Sequence, residues 1–208
     1  RRLSSAASDV YKRQVLEAGK KHNLMVIAPA HHRRIQAGIL SWGQDLDHEH
    51  NPFQCNLGYQ VSLSGKGEWE KKGDYIGKQA LEKMKADLKD GHKPYKLQLV
   101  GFEIGGKPID EYAPDFWLVS PGDGGDPCGF ITSPWYHPEK GKNIAMGYIP
   151  FDGTLNPNGF PKWELGKKFK VHLPDIYADE PGVPVDAVTV DVPFTESFNA
   201  NTREVVKG

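Results

Sequence analysis

The chain has 208 residues, 38% hydrophobic and 25% charged, enough to bury a core and unlike a disordered or fibrous protein. Twenty-six basic residues against 27 acidic leave a formal net charge of −1, which gives no electrostatic case for nucleic acid or an anionic membrane. No apolar run approaches the ~20 residues of a membrane-crossing helix, and the only two cysteines, Cys55 and Cys128, read as free thiols in a reducing, cytoplasmic setting.

Residues 1–14, RRLSSAASDVYKRQ, are small and basic with no periodicity. DVYKRQ looks like a translated sequencing adaptor, so this segment is expected to be non-native and to pack poorly, the native chain starting mid-element near Val15. A first domain then spans 15–92. Val15, Leu16 and Ala18 form a short apolar stripe ending at Asn23, the tail of an amphipathic helix. LMVI (24–27) predicts a short buried strand closed by Pro29. Residues 30–40 read as a helix with Ile35, Ile39 and Leu40 on one face and Gly38 at its end. Asp45, Asp47, Asn51 and Pro52 predict a loop, and NLGYQVSL (56–63) a strand with Leu57, Tyr59, Val61 and Leu63 on one side. GKGEWEKKGD (65–74) is a polar turn region. The spacing of Ile76, Ala80, Leu81, Met84 and Leu88 predicts a helix over 75–90, stopped by Gly91.

GHKP (91–94) reads as a tight linker into a second domain, 93–208. Six β-rich runs follow: YKLQLVGFEI, DFWLVS, CGFITSPW, NIAMGYIP, FKVHLP and DAVTVDVPF. Turn clusters separate them, the pattern of a compact antiparallel barrel or sandwich. The fold class is therefore α+β.

Several stretches carry chemistry-bearing residues. Arg33 and Arg34 offer planar forks that bind carboxylates in a bidentate way; two solvated helix arginines are the plain alternative. DLDHEH (45–50) is dense in carboxylates and imidazoles, but donors one or two residues apart rarely converge on one ion, so no metal site is expected. Trp42 and Trp135 sit beside turn residues, where they could stack on a flat ligand or serve the core. No local signature makes either cysteine a nucleophile. GDGGDPCG (122–129) lacks the Gly-Lys-Ser/Thr ending of a phosphate loop and reads as a hairpin turn.

The stretch RRIQAGILSWGQDLDHEHNPFQCNLGYQV resembles the aminomethyltransferase family, which includes the T-protein of the glycine cleavage system and tetrahydrofolate-dependent demethylases. The matching positions are Arg34, Ala37, Gly38, Trp42, Gly43, Asp45, Asp47, Pro52 and Tyr59. DYIGKQAL (74–81), KLQLVGFEI with GKPI (96–109), GFITSPWYHPEKGKNIAMGYIP (129–150) and VTVDVPF (188–194) follow in the family's order. The resemblance implies the remainder of a folate-binding α+β domain followed by a small antiparallel β-barrel or jelly-roll-like domain. It implies tetrahydrofolate as cofactor, with Arg34 holding the folate and Tyr59 lining its site. Trp42 and Trp135 complete the candidate cofactor-binding set. The family's catalytic Asp and its pterin-reading Glu lie upstream of the matched segment. No catalytic residue is therefore expected here, and the 208 residues alone are expected not to catalyse. Gln36 stands where the family has Glu.

The HEHNPFQCNLG and TSPWYHPEKGKNIA segments look nearer to the demethylase members, as do the insertions at 68–73 and 156–163. They favour a demethylase acting on a small methylated compound, of the dimethylsulfoniopropionate-demethylase kind. The alternatives are glycine-cleavage aminomethyl transfer from a lipoyl carrier protein, a folate module of a flavin-linked amine oxidase, and a non-catalytic folate-binding regulator.

Overall fold

The computed structural model describes residues 2–26, 30–61, 63 and 75–194. All six β runs form strands: β1 (Leu97–Ile104), β2 (Trp117–Pro121), β3 (Gly129–His137), β4 (Lys142–Pro150), β5 (Lys168–Val171) and β6 (Val185–Val190). They close into an antiparallel barrel in the order β1-β4-β3-β2-β5-β6, which leaves no open sheet edge. The β2–β3 hairpin turns at GDGG, where Gly124 and Gly125 take positive φ. The barrel interior is filled by Val100, Phe102, Ile104, Val119, Ile131, Ala145, Phe169 and Val171, among others.

β1 and β4 are nearly continuous apolar runs, and both are buried along almost their whole length. Such runs belong to strands covered on both faces. Their outer face carries Leu99, Ile144, Met146 and Tyr148, and Ile35 and Phe194 pack onto it. Ile35 belongs to α2 (His31–Gln36), so the barrel's outer wall is the surface on which this short helix sits. β6 shows the simpler alternation of a strand with one buried face.

α2 ends as its sequence predicts. Gly38 has φ +67, and a Cβ there would collide with Val192, so the position demands glycine on two counts. α3 (Lys78–Lys89) matches the predicted helix and stops at Gly91, whose φ is +81. Leu88, Leu81 and Met84 pack with Phe53 and Phe151, whereas Ile76, ahead of the helix, is fully exposed.

The chain divides into two compact units, 1–30 and 31–208. Residues 31–61 and α3 thus belong to the same unit as the barrel, and residue 92 does not part them. The first unit contains α1 (Arg2–Gly19) and one 3-10 turn, Lys20–His22, closed by Asn23 in the left-handed conformation. Its residues from Asp9 to Val15 are exposed, and the helix runs unbroken through residue 14.

Two predicted strands are corrected. Leu24 bonds back to the Gly19 carbonyl and caps the helix, and Met25 and Val26 are 80% and 72% exposed, so no buried strand forms there. Ile27 lies outside the described residues. Residues 56–61 are also not a strand: Asn56 takes φ +60 and Gly58–Gln60 is a 3-10 turn. The turn is fixed by local bonds, Leu57 N to Pro52 O at 2.7 Å and Gln54 N to Asn51 Oδ1 at 2.9 Å, which outweigh the alternating pattern. The polar region 65–74 lies outside the described residues.

The barrel core sets the stability of this unit. Phe102→Ala is expected to cost about 3–5 kcal/mol in urea unfolding, because Phe102 is wholly buried, whereas Leu118→Ala, at a half-exposed site, should cost far less.

Candidate functional site

The residues of the matched stretch meet at one buried carboxylate. Asp45 is 0% exposed and receives four hydrogen bonds. Arg34 Nη1 and the Ser41 amide donate to Oδ2, each at 2.8 Å; the Thr132 and Ser133 hydroxyls donate to Oδ1, each at 2.5 Å. Thr132 and Ser133 are neighbours on β3, and in a regular strand they would point to opposite faces. The β3–β4 register slips between Ile131 and Ser133, and this bulge lets both hydroxyls reach the same oxygen.

Arg34 is equally committed. Its Nε donates to His31 Nδ1, Nη1 also reaches the Ile39 carbonyl, and Nη2 donates to Gln44 Oε1 and Ser133 Oγ. A guanidinium has five N–H donors, and these five acceptors use all of them. Gln44 in turn donates to the Ala113 and Thr132 carbonyls, so the 41–47 turn is stitched to the barrel at several points. The carbonyl of Asp45 accepts the Tyr148 hydroxyl at 2.6 Å. With its proton spent there, Tyr148 oxygen is the acceptor for the Cys55 thiol 3.4 Å away. Burial pushes the Tyr148 and Cys55 pKa values up, so both groups stay protonated near neutrality.

Beside this knot lies a cleft of about 200 Å³. One wall is Ala37, Gly38 and Leu40, the other Cys55, Asn56, Leu57 and Tyr59; Leu99, Val100 and Met146 of the barrel form its floor, and Trp163, Val192 and Pro193 close it. No Asp, Glu, His, Lys or Arg lines it among the described residues.

Of the four residues proposed from sequence to bind cofactor, only Tyr59 borders the cleft, and its ring is 69% exposed. Arg34 is turned inward, with no donor left for a ligand carboxylate in this structure. Trp42 is 62% exposed and meets His48 edge to face. Trp135 packs on the outer barrel wall and stacks with His31 at 6.2 Å. Neither tryptophan borders the cleft. Sequence reading missed Gln44, ten residues past the arginine, and Thr132, Ser133 and Tyr148, all far from it in the chain. It placed Asp45 in a solvated loop, and the structure buries it. DLDHEH otherwise closes on itself, His50 Nδ1 lying 2.7 Å from Asp47 Oδ1. The Glu49 amide and His50 hold the Asp47 carboxyl below its usual range.

In three dimensions the chain is similar to the aminomethyltransferase T of the glycine cleavage system from Bartonella henselae, with a TM-score of 0.54 over 78% of this chain and 37% of that one, at 20% identity. In sequence it is similar to an aminomethyltransferase of Synechocystis sp., 32% identical over 117 residues. One of Thermosynechococcus vestitus is 29% identical over 162 residues, 77% of this chain. No family model matches. The relatives it is similar to in sequence are aminomethyltransferases. The chain spans 27% and 35% of these two relatives, about a third of their length.

The two adjacent arginines separate cleanly in experiment. Arg34→Ala strands the buried Asp45 carboxylate and should cost about 3–5 kcal/mol by denaturant titration. Arg33→Ala, at an exposed position, should change stability by no more than about 0.5 kcal/mol.

His31 makes stability pH-dependent. Burial, and then the Arg34 charge, lower its pKa from 6.5. As pH falls below 6.5 the unfolded chain takes up the proton first, so acid favours unfolding until the folded imidazole also titrates. His137, lowered by burial, acts in the same sense. Melting curves between about pH 7 and about pH 5 should show a smaller loss of stability in His31→Gln than in the wild type.

Proposed function

We propose that this chain is part of a tetrahydrofolate-dependent aminomethyltransferase of the glycine-cleavage type, and that the cleft beside Tyr59 takes the flat ring system of the folate. The observation that carries this is the likeness to curated relatives named aminomethyltransferase, up to 162 residues long. It favours aminomethyl transfer over the demethylase reading, which rests on loop spacing. Of the two insertions behind that reading, 68–73 lies outside the described residues. The other, 156–163, turns Phe160 back against Phe53 and so serves packing, although Trp163 at its end borders the cleft.

The cleft suits the ring part of the cofactor. Its walls are mostly apolar with Asn56 as a polar group, and Tyr59 offers a face for stacking. Tetrahydrofolate, when bound, supplies the nitrogen that accepts the one-carbon unit. Leu40, Leu57 and Met146 would keep water from the ring, and Tyr59 would orient it. Gln36, where the family resemblance expects Glu, gives its backbone carbonyl to the Phe194 amide, a bond that either side chain permits. A lipoyl carrier protein is the proposed aminomethyl donor.

The 208 residues by themselves are proposed to bind without turnover. The cleft offers no carboxylate or imidazole for proton transfer among the described residues.

Calorimetric titration with tetrahydrofolate tests the reading. Saturable binding is expected, with a stabilisation of about 2.7 kcal/mol at 100 times the dissociation constant. Tyr59→Ala should weaken it about three- to tenfold. Absence of both heat and thermal shift would remove the folate cleft, and turnover by the isolated chain would remove the binding-only claim.

A further inference from the structure

Among the described residues no hydrogen bond joins the two walls of the cleft to each other. Each is tied to Asp45, through a different part of that residue. Wall one, ending at Leu40, is followed by Ser41, whose amide donates to the Asp45 carboxylate. Arg34, on the same carboxylate, also grips the Ile39 carbonyl. Wall two begins at Cys55, whose thiol bonds the Tyr148 hydroxyl, which donates to the Asp45 carbonyl. The floor joins through Thr132, whose hydroxyl oxygen lies 2.5 Å from Asp45 Oδ1 and 3.1 Å from the carbonyl of Met146, a floor residue. One side chain and one carbonyl of a single residue therefore link both walls, and Asn56 of wall two also bonds the floor at the Leu99 carbonyl.

We infer that Asp45 is the positioning residue of the cleft, acting through Tyr148 on one wall and through Ser41 and Arg34 on the other. Asp45 does not border the cleft, so it acts on a ligand only through these partners. The inference takes the cleft to be the folate site, and to that extent it rests on the function proposed above. Rigid support of this kind matters because a binding geometry set by packed, hydrogen-bonded elements loses affinity when its supporting shell loosens.

Cys55 supplies a readout that does not depend on folate. It borders the cleft, is 3% exposed, and its pKa is raised by burial, so it should react slowly with a thiol reagent while the walls are held. Cys128 packs against the barrel's core cluster, away from the knot, and serves as the internal reference.

The experiment compares the wild-type chain with Asp45→Asn and Tyr148→Phe, all shown folded by circular dichroism. Tyr148→Phe removes only the hydroxyl from a buried ring, and it carries the test if Asp45→Asn does not fold. Two quantities are read: the rate of maleimide alkylation at Cys55 relative to Cys128, and the dissociation constant for tetrahydrofolate. In each folded variant the Cys55 rate should rise at least tenfold and folate binding should weaken at least tenfold. An unchanged Cys55 rate in a folded variant overturns the inference, as does unchanged folate affinity in a variant of a wild type that binds. If the wild type does not bind folate and the Cys55 rate still rises, the positioning of the walls stands and the folate assignment falls.

Discussion

A carboxylate buried away from water is the constraint around which the described structure is arranged. Taking Asp45 out of solvent carries a desolvation cost of several kcal/mol unless its oxygens are matched by donors. Here a guanidinium, a backbone amide and two hydroxyls match them. Those donors come from α2, from the turn after it, and from β3, so satisfying one charge fixes three segments against one another. The arginine is saturated by the same arrangement, and the pair has no spare hydrogen-bonding capacity on the guanidinium side. A pair built this way gives orientation more than net stability.

The barrel supplies what the knot needs. Closure removes the sheet edges and makes a rigid wall. Its outer face at β1 and β4 is apolar, which brings α2 and Phe194 onto it. The bulge in β3 then turns two consecutive hydroxyls toward the same oxygen. Without that slip one of them would point into the barrel. The cleft lies where the two loops meet this wall, and its apolar lining follows from the apolar strands beneath it.

The likeness to aminomethyltransferases fits this picture with one change of emphasis. The resemblance gives Arg34 to the folate, whereas the structure spends its donors within the chain. Tyr59 borders the cleft, on a 3-10 turn where a strand was predicted. A motif match by itself does not divide ligand-binding roles from scaffold roles.

The amino-acid sequence by itself determined the α+β class, the six strands, α3 with its glycine stop, the end of α2 at Gly38 and the hairpin at GDGG, because each depends on local periodicity or on a backbone conformation that one residue type favours. It misled at 24–26 and 56–61, where helix capping and side-chain bonds to the backbone override a short apolar or alternating pattern. Tertiary structure alone decided that Arg34 turns inward, that Asp45 is buried, and that Trp42 and Trp135 stand apart from the cleft. The physical reason is sequence distance: the groups that satisfy Asp45 include hydroxyls 87 and 88 residues away, and only barrel closure with a register slip brings them within hydrogen-bond reach.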